Sequence, residues 1–142
     1  MIRDLVKTEL KIVSAMGGNV MHALKHSDSS FKNFGEAYFS KIKFGYIKAW
    51  KRHRKMTLNL IVPFGKIKVV FFDDRSGESV MDEVILSQEN YYRLTVPPMI
   101  WFGFQGLHKQ ESIMLNIADI EHDPSEVERE DLEFVNYKWE QL

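Results

Sequence analysis

Short runs of Val, Ile, Leu, Phe and Tyr, broken by clusters of Ser, Asp, Asn and Gly, dominate this chain. Runs of that length and composition between turn clusters predict strands at 10–13, 19–24, 35–41, 45–52, 57–63, 66–73, 81–86, 91–96, 100–104 and 112–118. Phe64-Gly65, between two apolar runs, reads as a hairpin turn in which Gly supplies the special backbone angle. In the strand at 66–73 the alternation places Lys66 and Lys68 on one face and Ile67, Val69, Phe71 and Asp73 on the other. If the lysines meet solvent, Asp73 points inward at the end of an apolar row. Helix is minor: one turn at 27–32 and one at 124–131, the latter opening on Pro124 with acids in its first turn. Many short strands without a long helical period mean an all-β sandwich or barrel.

Composition narrows the classes. The 142 residues suit one domain, and 44% hydrophobic residues suit a packed core. A net charge of −1 gives no general pull toward nucleic acid or an anionic membrane. With no cysteine, disulfides, thiolate metal sites and a cysteine nucleophile are excluded. The first residues carry interspersed charges rather than an apolar core, and no run approaches a membrane span, so a soluble cytoplasmic protein is expected.

Two spacings carry chemistry. Gly45, five residues, Lys51-Arg52-His53, four residues, Leu58, six residues and Gly65 match the spacing of the first cupin motif, G(X)5HXH(X)4E(X)6G. Pro97-Pro98-Met99, Ile100-Trp101, Phe102 and Gly106 follow the second, PXG(X)2H(X)3N. The four metal-ligand positions therefore hold Lys51, His53, Leu58 and Phe102, of which only His53 is a usual ligand, so no metal and no other cofactor is expected.

The segments GYIKAWKRHRKMT, GKIKVVFFDDR, LSQENYYRLTVPPMIWFGF and HDPSEVER together resemble the dTDP-4-dehydrorhamnose 3,5-epimerase family, over about residues 35–128. The resemblance implies a single cupin (jelly-roll) β-barrel over 1–142 with minor short helices. It implies N-terminal strands at about 1–34 that are exchanged in a homodimer, a barrel core at 35–128 and a tail at 129–142. It implies a nucleoside-diphosphate 4-keto-6-deoxy sugar as substrate, enolate chemistry and a place in surface-polysaccharide synthesis. A 3,4-ketoisomerase of the same substrate class and a non-catalytic sugar-nucleotide binder stand as alternatives. Carried over by residue, the family's base His falls on Lys51, the Arg of its RG pair on Lys48 and the His of its HGF on Phe102. Its acid Tyr falls near Asn116, and its conserved-motif Glu on Val127, flanked by Glu126 and Glu128. The C-terminal part that supplies an acidic partner to the base is expected to be missing.

The residues themselves leave several roles open. Lys51, in an apolar barrel, has a reason to lose its charge and act as base or carbonyl nucleophile, or else it binds phosphate. His53 shares its face and suits acid–base work near neutral pH. Asp73 either orients Lys51 or His53 or is paired with Arg75. Lys48, Arg52, Arg75 and Asn116 are the candidate substrate-binding groups, the cations for a diphosphate and Asn116 for a sugar oxygen.

Overall fold

The computed structural model describes residues 2–142. Twelve strands form, in chain order: β1 (Val6–Glu9), β2 (Ile12–Val13), β3 (Val20–Met21), β4 (Glu36–Ile42), β5 (Ile47–His53), β6 (Leu58–Phe64), β7 (Lys66–Asp73), β8 (Val80–Ser87), β9 (Tyr92–Val96), β10 (Trp101–Gly106), β11 (Ser112–Ala118) and β12 (Val127–Arg129). Two five-stranded sheets result, ordered β1-β9-β6-β11-β4 and β12-β5-β10-β7-β8, and β2 and β3 make a separate hairpin. All strand pairs are antiparallel. The expected all-β jelly roll is present, with its two sheets facing each other as a sandwich rather than closing into one continuous barrel.

The main core fills the space between the sheets. Leu58, Leu60 and Val62 of β6, Ile67, Val69 and Phe71 of β7, Leu94 and Val96 of β9, Phe102 of β10 and Met114 of β11 meet there. This is the period-2 alternation of strands with one face buried. A second cluster lies on the outer face of the β5-β10-β7 region, where Trp50, Val70 and Trp101 are covered by Val135 and Trp139 of the C-terminal segment. That segment corrects one expectation. Lys68 does not face solvent: it lies under the tail, only 5% exposed and ion-paired with Glu140.

The helical turns also differ from expectation. Residues 27–32 form turns, not a helix. In the stretch 124–131 only Pro124–Glu126 is helical, as a single 3-10 turn capped by the Asp123 side chain, and the chain then extends as β12; a second 3-10 turn lies beyond it at Leu132–Phe134. Edge pairing along β5, Val127 with His53 and Arg129 with Lys51, outweighs the local helical preference. β1 and β12 gave no strong apolar run of their own and are strands because each completes a sheet edge.

Two glycines are fixed by their surroundings. Gly65, at φ +87°, makes the β6–β7 turn with Ser112 pressed against it. Gly103 faces Ala49 so closely that a Cβ would collide with it. The β5–β10 register shifts at this point, from Phe102 opposite Lys51 to Phe104 opposite Lys48. The irregularity brings Lys48 and Lys51 alongside the same cavity, although three residues apart on a regular strand they would point to opposite faces.

Candidate active site

The cavity beside β5 has a volume of about 400 Å³. Ser40 from β4, Lys48 and Lys51 from β5, Phe102 and Phe104 from β10 and Arg129 from β12 line it. Its lining mixes aromatic groups with three cations and one acid, Glu130, a composition suited to a partly apolar, anionic small molecule.

His53, two residues along β5 from Lys51, is 4% exposed, with its ring stacked near the cavity-lining Phe102 at a centroid distance of 6.2 Å. Its Nδ1 meets the Glu126 carboxylate, itself 2% exposed, and its Nε2 is buried without a hydrogen-bond partner. Glu126 also accepts from the backbone amides of Lys55 at 3.1 Å and Met56 at 3.3 Å. Burial works to raise the Glu126 carboxyl, but the hydrogen bonds from His53 and the two amides outweigh it and hold the group below the usual carboxylate range. For His53 burial dominates: it pulls the imidazole below its ordinary value against the opposing Glu126 carboxylate. An imidazole donating Nδ1–H to a carboxylate presents Nε2 as a proton acceptor, the arrangement of a general base. His53 thus has an acidic partner that the sequence did not assign to it: Glu126, one place from the family's Glu position, in the segment just before β12.

Lys51 lies on the same wall with its Nζ 5.7 Å from the centroid of the Phe102 ring. Burial first, and then the Arg129 charge, pull its amine below the ordinary lysine range, with Glu126 opposing. In the other sheet, Asn116 of β11 stands directly opposite Tyr38 of β4, two residues from the cavity-lining Ser40, and donates to the phenol oxygen at 2.7 Å. Burial raises the Tyr38 phenol, with the Asn116 hydrogen bond opposing. Because the phenol oxygen accepts from Asn116, its own O–H is left to donate elsewhere. Asn116 Oδ1 is buried and unpartnered.

The remaining candidates lie elsewhere. Arg52 points to the outer face, ion-paired with Glu128 and with Asp74 at 3.2 Å, and lies 4.5 Å over the Trp101 ring. Asp73 is bound by Arg75, through Nε at 2.8 Å and Nη2 at 2.9 Å, and Arg75 also reaches the Arg3 carbonyl. That pair anchors the N-terminal segment and does not orient Lys51 or His53. Lys48 reaches the Lys41 carbonyl at 3.1 Å from the cavity rim. Leu58 and Phe102, at two of the four metal-ligand positions, are hydrocarbon groups of the main core, so the donor set does not fit a metal. Tyr38, Glu126 and Arg129 are the members the sequence did not single out. Tyr38 alternates with Ala37 and Phe39 in a strand with apolar residues on both faces, and Arg129 reaches the site only through β12.

No family profile matches the chain. Among solved structures, a dTDP sugar isomerase from Desulfovibrio desulfuricans G20 is 35% identical, over 97% of this chain and 92% of that one, with a TM-score of 0.92. The dTDP-6-deoxy-D-glucose-3,5-epimerase of Legionella pneumophila, solved with dTDP-4-keto-L-rhamnose, is 20% identical over 90% and 73%, with a TM-score of 0.80. A sugar 3,4-ketoisomerase from Thermoanaerobacterium thermosaccharolyticum, solved with TDP, is 16% identical over 94% and 93%, with a TM-score of 0.77. These last two likenesses show the fold. Curated relatives at 22% and 23% identity are named for glycan and spore-coat polysaccharide biosynthesis. With identity of 35% across nearly the whole of both chains, and with the jelly roll on which it lies, this chain belongs to the dTDP-sugar isomerase family.

Proposed function

We propose that the protein is an isomerase that epimerises a nucleoside-diphosphate 4-keto-6-deoxy sugar through an enolate-type intermediate, in the synthesis of surface glycans. The observation that carries this reading is the buried His53–Glu126 pair with Nε2 free beside a cavity lined by cations and aromatics. His53 Nε2 takes a proton from a carbon next to the ketone, and Glu126 stabilises the imidazolium that forms. Lys51, on the cavity wall, is the group that meets the ketone. Tyr38, from the opposite sheet, returns a proton to the other face of the sugar, with Asn116 fixing its phenol. Base and acid on facing sheets support inversion at the carbon. Lys48 and Arg129 are the groups for the diphosphate.

Incubation with dTDP-4-keto-6-deoxyglucose in D2O, followed by NMR, tests the reading. Deuterium entering carbon 3 or 5, with wash-in lost in His53→Ala, is expected. A product with its ketone at carbon 3 would instead identify a 3,4-ketoisomerase. Saturable binding without exchange would identify a binder and overturn the enzymatic reading.

The protein acts as a homodimer on this reading. Strands β2 and β3 pair only with each other, and Ile12, Val13, Val20 and Met16 on that hairpin are exposed, Met16 fully. A two-stranded hairpin is marginal by itself in water, so a second copy is the natural cover. Among the described residues no helix is long and apolar enough to cross a membrane, and the cytoplasm is where a nucleotide sugar would meet it.

A further inference from the structure

Two lysines, one buried and one half-buried, sit on the same sheet with opposite surroundings. Lys68, on the outer face, is ion-paired with Glu140, and that partner outweighs the cost of burial so that its ammonium is held above the ordinary range. Lys51, on the cavity wall, has no hydrogen-bond or ion-pair partner among the described residues. The nearest buried carboxylate, Glu126, is committed to His53 and two backbone amides. Its cationic neighbours are Arg129, directly opposite in the β5–β12 register, and Lys48 on the same cavity wall. An ammonium here would be a third cation in a half-buried space. The setting makes loss of its proton easier than for an ordinary lysine, and the free amine so reached is a nucleophile.

We propose that Lys51 is a covalent catalyst, its amine forming a transient iminium with the ketone of the substrate. This rests on the reading of the protein as a 4-keto-sugar epimerase and sharpens it. The Lys51 nitrogen adds to the carbonyl carbon, the carbonyl oxygen takes up protons, and it leaves as water as the C=N bond forms. The iminium withdraws electrons from the neighbouring carbons, and His53 Nε2 removes a proton from one of them to give a neutral enamine. Reprotonation of that carbon from the opposite sheet restores the iminium with inverted configuration. Water then adds to the C=N carbon, Lys51 leaves as the amine, and the ketone re-forms at its original carbon. No oxidant or reductant is needed. The route also selects the reaction. Moving the ketone to the neighbouring carbon would leave nitrogen on carbon 4 and the product attached to the enzyme, so an iminium enzyme epimerises and does not release a 3-keto isomer.

The test uses the full chain with dTDP-4-keto-6-deoxyglucose and cyanoborohydride, which delivers hydride to an iminium. Intact mass and peptide mapping should find the protein heavier by the sugar nucleotide less one oxygen, with the addition on Lys51. In water enriched in ¹⁸O, the ketone should gain label at the rate of turnover, faster than in an enzyme-free control. Lys51→Arg, which keeps a positive charge and cannot form the bond, should give no adduct and should lose deuterium wash-in as fully as Lys51→Ala. Wild-type wash-in with no adduct and no accelerated ¹⁸O gain would overturn the proposal and leave the epimerase reading standing. So would retained wash-in in Lys51→Arg, or an adduct confined to another lysine. Absence of both wash-in and adduct in the wild type would overturn both.

Discussion

On the outer face of the β12-β5-β10-β7-β8 sheet, Arg52 reaches Asp74 and Glu128 over the Trp101 ring, and Lys68 meets Glu140. On the inner face, one residue away along β5, Lys51 has no counter-ion among the described residues and His53 Nε2 has no hydrogen bond. The outer face pairs its charges, which is how a fold makes buried charge tolerable, and leaves unpaired only neutral indole N–H groups, those of Trp101 and Trp139. The inner face leaves titratable groups without partners near a cavity, which stability alone does not favour and ligand chemistry does.

Removing the free groups of the inner face should have the largest effect. His53→Ala should lower turnover by roughly 10²–10⁴-fold, the usual contribution of a general base, read by the rate of deuterium wash-in. Glu126→Gln should lower it less, because the imidazole remains while its orientation and charge support weaken. His53 works only as the free base, and burial holds it below 6.5. The acid limb of kcat/KM should therefore lie below pH 6.5: activity is full above that limb and falls as the pH is lowered through it. A limb at or above 6.5 would mean that Glu126 outweighs burial.

The outer face should answer in stability instead. Trp139 is packed against Trp50 at 5.6 Å and Tyr137 at 4.8 Å between ring centroids. Trp139→Ala should cost about 3 kcal/mol in chemical denaturation. Arg52→Ala should cost about 1–2 kcal/mol through its ion pairs and its contact with Trp101, and leave turnover unchanged. A large loss of turnover in Arg52→Ala would blur the distinction between the faces. The smallest effect is expected at Met99, where the second motif has Gly and this chain holds a methionine at φ +70°. The Met99 amide donates to the His53 carbonyl at 2.7 Å, so the strained turn fixes the end of β5. Met99→Gly should stabilise by about 0.5–1 kcal/mol, as left-handed strain is relieved and partly offset by backbone entropy, read as a rise in the denaturation midpoint.

The strands were legible because their signal is local. Those at 66–73 and 112–118 coincide with β7 and β11, where alternation and flanking turns agree. His53 and Lys51 were legible as a pair because residues two apart on a strand share a face, and the cupin spacing marked that face as the interior one. Arg52 was misdirected by the charge run in which it sits, since a run of basic residues on a strand alternates between interior and exterior. Lys68 was misread as solvated because the tail that covers it lies some 70 residues on, and no local pattern reports that distance.

By itself the sequence determined an all-β sandwich or barrel, the aromatic and basic character of β5 and the loss of the metal-ligand set at Leu58 and Phe102. These follow from side-chain type and period, which are properties of neighbours in the chain. Only the tertiary structure decided that Glu126 clamps His53, that Tyr38 and not Asn116 brings the phenol, and that Arg129 stands opposite Lys51. Each joins residues from different strands or sheet edges, and edge pairing and register, which sequence periodicity does not fix, determine which groups meet.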